Sequence, residues 1–233
     1  MAAPFDANAV RITGAPRPIT DGTEAIAGAR KLGVSRSGAL AYVLPPPRNR
    51  TLALVDRAGQ SETVPLPAQG FHGARFSRDG KRIAAHVLSA DRDLGDIWSL
   101  DVNGESFRRL TFDSGSVSPV WSVDGRRIAF ANKPGGRPAG WAIRWTSADG
   151  SDSAETLLPF APGQHPADFA PDGRALVLLR SDPKTRHDIW ILPLRGGNRL
   201  VPYLRGPFEE HSADLSPDGR LTRIVGFFDR ATE

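Results

Sequence analysis

The 233-residue sequence contains no cysteine, a single methionine and only two tyrosines. Without cysteine there is no disulfide framework, no thiolate metal site and no cysteine nucleophile. No apolar run approaches the ~20 residues that a membrane-spanning helix requires. The opening MAAPFDANAV lacks the basic and apolar regions of a secretory signal, so the chain as written is expected to remain in the cytoplasm. Charge of one sign is not concentrated anywhere. The formal net charge of +4 is carried mostly by arginines scattered singly and in pairs, where a nucleic-acid surface would show a clustered basic stripe. No nucleic-acid partner and no transmembrane segment are expected.

What the sequence does hold in quantity is turn formers: 24 glycines and 20 prolines, the composition of many short strands joined by tight turns. One phrase recurs five times, as VSRSGALAYV (34–43), FSRDGKRIAA (76–85), WSVDGRRIAF (121–130), FAPDGRALVL (169–178) and LSPDGRLTRI (215–224). Its turn glycines, Gly38, Gly80, Gly125, Gly173 and Gly219, are spaced by 42, 45, 48 and 46 residues. Asp-Gly between alternating apolar strands signals a hairpin, because the turn needs a positive φ that glycine adopts without steric cost. A second turn follows each of the first four: Ala58-Gly59, Asn103-Gly104, Asp149-Gly150 and Gly196-Gly197. The strands entering these turns, TLALVD, DIWSLDV, WAIRWTS and DIWILPL, are aromatic and β-branched.

Two hairpins per period of about 45 residues is the pattern of a four-stranded propeller blade. The predicted fold is therefore an all-β β-propeller of four-stranded antiparallel blades, a single domain over 1–233. Full blades are expected at about 31–70, 71–115, 116–163 and 164–209, with half-blades at 1–30 and 210–233. Thr13-Gly14 sits in second-turn register, so the two half-blades could close a five-bladed ring. Alternatively the chain is part of a six- or seven-bladed propeller, which the altered tail RLTRIVGFFDRATE favours. Trp121, Phe76, Phe169 and Leu215, at one register, and Trp98 and Trp190 are expected to fill the gaps between blades.

FSRDGKRIA, WSVDGRRIAF, DIWSLDV and RRLTFD resemble the WD-like repeats of TolB-type propellers, most closely those attached to bacterial serine/threonine protein kinases. The resemblance covers nearly the whole chain and is specific for the fold. The same blades occur in periplasmic TolB and beside the hydrolase domain of prolyl oligopeptidase-like peptidases, and members are often periplasmic or extracytoplasmic. MAAPFD with ITGAPRPI resembles an interior blade of the kinase-linked propellers, which implies that Met1 starts within a longer ancestral frame. No kinase machinery accompanies the repeats: a Gly-rich nucleotide loop, a catalytic-loop His-Arg-Asp and an Asp-Phe-Gly are all missing, and Arg186-His187-Asp188 carries the catalytic-loop residues in scrambled order.

Catalytic residues are not expected. GVSRS (33–37) and GSVSP (115–119) lack the second glycine of a nucleophile elbow, and Asp79, Asp124, Asp172 and Asp218 precede turn glycines, where the carboxylate bonds the local backbone. One constellation stands apart. His72, His165 and His211 lie four residues before Phe76, Phe169 and Leu215, with Val117 at the fourth equivalent position. That register begins the innermost strand of a blade, so the three imidazoles are candidates for a ligand site at the channel mouth, for an anion when protonated or a divalent metal when neutral. Neither a resident metal nor a cofactor is expected. The functional expectation is a monomeric, non-catalytic propeller that binds a protein, as sensor or scaffold, and is a fragment of a larger kinase-linked protein. The alternatives are an accessory propeller of a prolyl oligopeptidase-like peptidase and a small-ligand or metal-binding propeller. Loops 44–50, 88–96 and 132–140 are candidate contact loops.

Overall fold

Short alternating segments between glycine turns leave no room for helices, and every regular element among the described residues is a strand. The computed structural model describes residues 49–89, 94–133, 140–196, 199–206, 209–215 and 222–227, with short strands at 5–6, 11–12, 32–34 and 40–42. Contacts divide the chain into two compact units, Met1–Pro47 and Arg48–Glu233. In the first, β1 (Phe5–Asp6) pairs with β2 (Arg11–Ile12) and β3 (Leu32–Val34) with β4 (Leu40–Tyr42), both antiparallel. Thr13-Gly14, Gly38, Gly197, Asp218 and Gly219 lie outside the described residues, as do parts of all three candidate contact loops.

The second unit begins with a hairpin of β5 (Ala53–Val55) and β6 (Ser61–Thr63). Three four-stranded meanders follow. The first is β7 (Phe71–Phe76), β8 (Arg82–Leu88), β9 (Gly95–Asp101) and β10 (Phe107–Arg109). The second is β11 (Ser116–Trp121), β12 (Arg127–Asn132), β13 (Trp141–Ser147) and β14 (Glu155–Ala161). The third is β15 (His165–Phe169), β16 (Ala175–Asp182), β17 (Arg186–Pro193) and β18 (Val201–Leu204). A hairpin of β19 (Glu209–Leu215) and β20 (Thr222–Phe227) closes the described unit. The expected module 31–70 thus has β3 and β4 in one unit and β5 and β6 in the other.

Three first strands lie across the preceding sheet: β11 touches β7, β8 and β9, β15 touches β11, β12 and β13, and β19 touches β15, β16 and β17. The apolar faces between them form the core. Ala84, Ile97 and Leu110 of one sheet meet Trp121, Ile128 and Phe130 of the next. Val117, Ala129 and Ile143 likewise meet Phe169, Leu176 and Leu192. Trp121, Phe169 and Leu215 therefore fill inter-sheet gaps. Trp98 stacks on Phe107 at 4.3 Å, and Trp190 packs beside Arg180 and Arg205. Phe76 departs from the expectation, being 57% exposed. The reason is local: within its own unit the preceding hairpin, β5 and β6, supplies no first strand to lie beside it.

The first-hairpin turns share one construction. Ser77 C=O accepts from Gly80 N–H and Ser77 N–H donates to Arg82 C=O, spanning a four-residue loop. Gly80, Gly125 and Gly173 take φ of 71°, 66° and 68°, the left-handed region in which a Cβ is strained. The aspartates before them do not share that conformation. Their role is to accept hydrogen bonds, which is why Asp recurs there.

Candidate functional site

The two ends of the first strands are built differently. At the turn end, Ser77 Oγ donates to Asp79 (2.6 Å) and Ser122 Oγ to Asp124 (2.7 Å), and the amides of Lys81, Arg126 and Arg174 donate to Asp79, Asp124 and Asp172. These bonds stabilise the ionised form, so the carboxyls of Asp79 and Asp124 titrate below the usual carboxylate range. For Asp79 the leading cause is the Ser77 hydroxyl and for Asp124 the Arg126 amide. These aspartates are structural acceptors, each tied to its own turn. Beside them Phe76, Trp121, Phe169 and Leu215 border a groove of about 420 Å³, with Arg75 and Arg78 at its edge.

At the other end β7, β11, β15 and β19 each carry a β-bulge. Pairing slips between Phe71 and Gly73 in β7, Val117 and Val120 in β11, Pro166 and Asp168 in β15, and Glu210 and Ser212 in β19. A bulge inserts an unpaired residue and re-aims its side chain. In β7 the inserted residue is His72, whereas in β15 it is Ala167, so equal spacing from the anchor residue does not give His72 and His165 equal backbone positions.

Both histidines nevertheless border one cavity of about 620 Å³, a size typical of small-molecule sites. His86 of β8 and His187 of β17 join them, so four of the chain's five histidines line it. The fifth, His211, lies on β19, and its side chain is outside the described residues. His72 and His86 meet edge to face at 5.3 Å, and His165 tilts against Trp141 at 4.9 Å. Glu210 borders the same space and is 4% exposed.

Burial, and then the neighbouring His72, lowers the His86 pKa to about 4, and burial followed by His187 does the same for His165. Burial, with a smaller contribution from nearby Asp188, raises Glu210 above the usual carboxylate range. His86 Nε2, His165 Nδ1 and Glu210 Oε2 are buried without a hydrogen-bond partner among the described residues. Among those residues no cluster of three or more His, Asp or Glu is arranged to hold a metal ion. Counting along first strands alone missed His86, His187 and Glu210. A polar residue inside the otherwise apolar run IAAHVL was the available signal for His86.

No family model and no curated protein matches the sequence. Among solved structures, TolB from Acinetobacter baumannii superposes with a TM-score of 0.64 at 19% identity, over 78% of this chain and 44% of that one. A protein assigned as TolB from Agrobacterium tumefaciens gives 0.67 at 19% identity, over 87% and 71%. The fold is that of a TolB-like β-propeller. A prolyl endopeptidase also matches, with a TM-score of 0.54 at 14% identity, over 74% of this chain and 29% of that one. Propeller blades stack radially around a channel. In that scheme β7, β11, β15 and β19 are the innermost strands, and the groove and the cavity occupy their opposite ends.

Proposed function

We propose that the chain acts without chemistry of its own, as a propeller unit that binds a protein through the groove at the turn end. The observation that carries this reading is Phe76, 57% exposed at the register where Trp121, Phe169 and Leu215 are covered by a neighbouring sheet. An aromatic ring left open in a groove suits an apolar side chain of a partner. The TolB-like fold supports this reading, since rigid blades presenting loops and grooves suit macromolecular recognition. The finer proposal is that the unit is the sensor part of a larger kinase-linked protein. Its support is the resemblance carried by FSRDGKRIA, WSVDGRRIAF and DIWSLDV, and an in-frame kinase domain in the neighbouring coding sequence is the expected finding.

The test is a displayed peptide library selected against the chain and against Phe76→Arg. Aromatic peptides enriched by the first and lost with the second are expected. Equal enrichment by both removes the groove from the proposal. The prolyl endopeptidase match favours one second reading, an accessory unit beside a hydrolase. Under that reading the groove selects no peptides, and peptidase activity appears only when a catalytic domain is joined to the unit.

A further inference from the structure

We propose that Asn103 is a site of spontaneous modification by water, passing through a cyclic imide with Gly104 to aspartate and isoaspartate, and that the product loosens the turn between β9 and β10. The proposal concerns neither the groove nor the cavity. Of the asparagines in the sequence, only Asn103 precedes a glycine, and glycine has no side chain to screen its nitrogen from a neighbouring carbonyl. Asn103 is exposed, and its Oδ1 accepts a hydrogen bond from Glu105 N–H at 3.2 Å. That bond folds the carboxamide back along the chain and polarises the carbonyl that Gly104 attacks, as a backbone N–H does for a developing oxyanion. Asn132 is the contrast: it is buried, donates from Nδ2 to Asp113 and Ser116, and precedes Lys133.

The step balances with water alone. The Gly104 nitrogen gives up its proton and bonds to Asn103 Cγ, the Cγ–Nδ2 bond breaks, and ammonia leaves carrying an equivalent proton. Water then opens the imide at either carbonyl. Opening at Cγ leaves aspartate; opening at the main-chain carbonyl leaves isoaspartate, with an extra methylene in the backbone. The fold supplies a brake. Gly104 N–H donates to Asp101 C=O at 2.9 Å, and Asp101 N–H donates to Ser106 C=O at 3.0 Å. The nitrogen is therefore available only while the turn is open, and the rate scales with that open fraction.

The corresponding turn of the next sheet shows what the product lacks. Gly150 N–H donates to Ser147 C=O as Gly104 does to Asp101, so Asp149 stands in the place of Asn103. Asp149 accepts from Ser147 Oγ and, at 2.9 Å, from Ser151 N–H. In the β9–β10 turn Asp101 takes the place of that serine, and an ionised carboxylate has no proton to donate. A carboxylate at position 103 would meet a like charge where Asp149 meets a hydroxyl. The turn is also tightly seated: a Cβ built on Gly104 meets Pro65 Cγ at 2.7 Å, and Val102 packs against the cluster of Val64 and Phe71. An added methylene would disturb this contact between the first four-stranded sheet and the chain that follows β6.

The test incubates the full chain at neutral and mildly alkaline pH, folded and in concentrated urea, and maps its peptides by mass spectrometry. The folded chain is expected to gain the mass of an amide-to-acid exchange at Asn103 and not at Asn49 or Asn132, faster at the alkaline pH. In urea the exchange at Asn103 should run at least about tenfold faster. Asn103→Asp should lower the melting temperature by about 1–3 °C. Adding Asp101→Ser should restore it, because the new hydroxyl recreates the pairing of Ser147 with Asp149, and Asp101→Ser alone completes the cycle. No exchange at Asn103 in the folded chain after a month would overturn the site. Equal rates with and without urea would overturn the brake, and a loss that Asp101→Ser fails to restore would overturn the loosening.

Discussion

The same four strands end in two contrasting ways. At the turn end, Ser77 and Asp79, and likewise Ser122 and Asp124, satisfy one another and the backbone within six residues. At the bulged end, single polar atoms of His86, His165 and Glu210 are buried without a hydrogen-bond partner among the described residues. Polar residues that repeat in every module and close on themselves serve the fold. Polar residues that gather from different modules, with buried atoms unpaired among the described residues, are not accounted for by the repeat.

The sharpest way to separate the two ends is acid. A histidine with a folded pKa of about 4 binds its proton less readily than in the unfolded chain, where the value is about 6.5. Its contribution is intact above pH 6.5 and is lost as pH falls toward 4, by up to about 3 kcal/mol for each of His86 and His165. Glu210, raised by burial, acts in the opposite sense and offsets part of this loss. Asp79 and Asp124, lowered by their hydrogen bonds, lose their contribution only below the ordinary carboxylate range. Urea unfolding from pH 8 to pH 3.5 should therefore show the histidine step, with the aspartate step falling at lower pH. The double variant His86→Phe and His165→Phe should abolish the upper one; an unchanged upper step would place its origin elsewhere.

Two aromatic positions of one register provide the next contrast. Trp121 is 6% exposed, donates from Nε1 to Arg75 C=O at 3.0 Å and carries Arg82 over its ring. Trp121→Ala is expected to destabilise by about 4 kcal/mol. Phe76→Ala should cost less than about 1 kcal/mol, because the ring is already largely in water. Equal losses in chemical denaturation would mean that Phe76 is covered in solution.

The smallest contrast concerns glycines. Gly125, at φ 66° and with Arg82 donating to its carbonyl at 2.7 Å, should lose about 1–2 kcal/mol on substitution by alanine. Gly73 lines the cavity, and a Cβ built there meets nothing within 4 Å, so Gly73→Ala should stay within about 0.5 kcal/mol of the wild type. Thermal melts of the pair decide whether the cavity glycine is kept for space or for backbone.

The repeat was legible because turn chemistry is local. A glycine needing positive φ and an aspartate accepting nearby amides leave the same mark in each module, as Gly80, Gly125 and Gly173 do. Trp121 and Phe169 were legible because an apolar residue beginning each phrase has one place to go. The bulges were not. An inserted strand residue leaves no compositional trace, so counting back from Phe169 could not reveal that Ala167, rather than His165, is unpaired in β15. Nor could spacing along one strand find His86, which reaches the cavity from the strand beside it. The exposure of Phe76 depends on which strand neighbours it, and that is a property of the assembled unit.

The Ser-x-Asp-Gly turns also bear on the order in which the molecule forms. Ser77, Asp79 and Arg82 meet across a loop so short that its closure entropy is small, and hairpins of this kind form in about 1–10 μs. The brackets between sheets, such as Arg82 to Gly125 C=O and Leu215 N–H to Asp168, join residues 43 and 47 positions apart. Hairpins should therefore appear early and dock late. During that interval their apolar faces, not yet covered, are the part of the chain most open to mispairing with another copy.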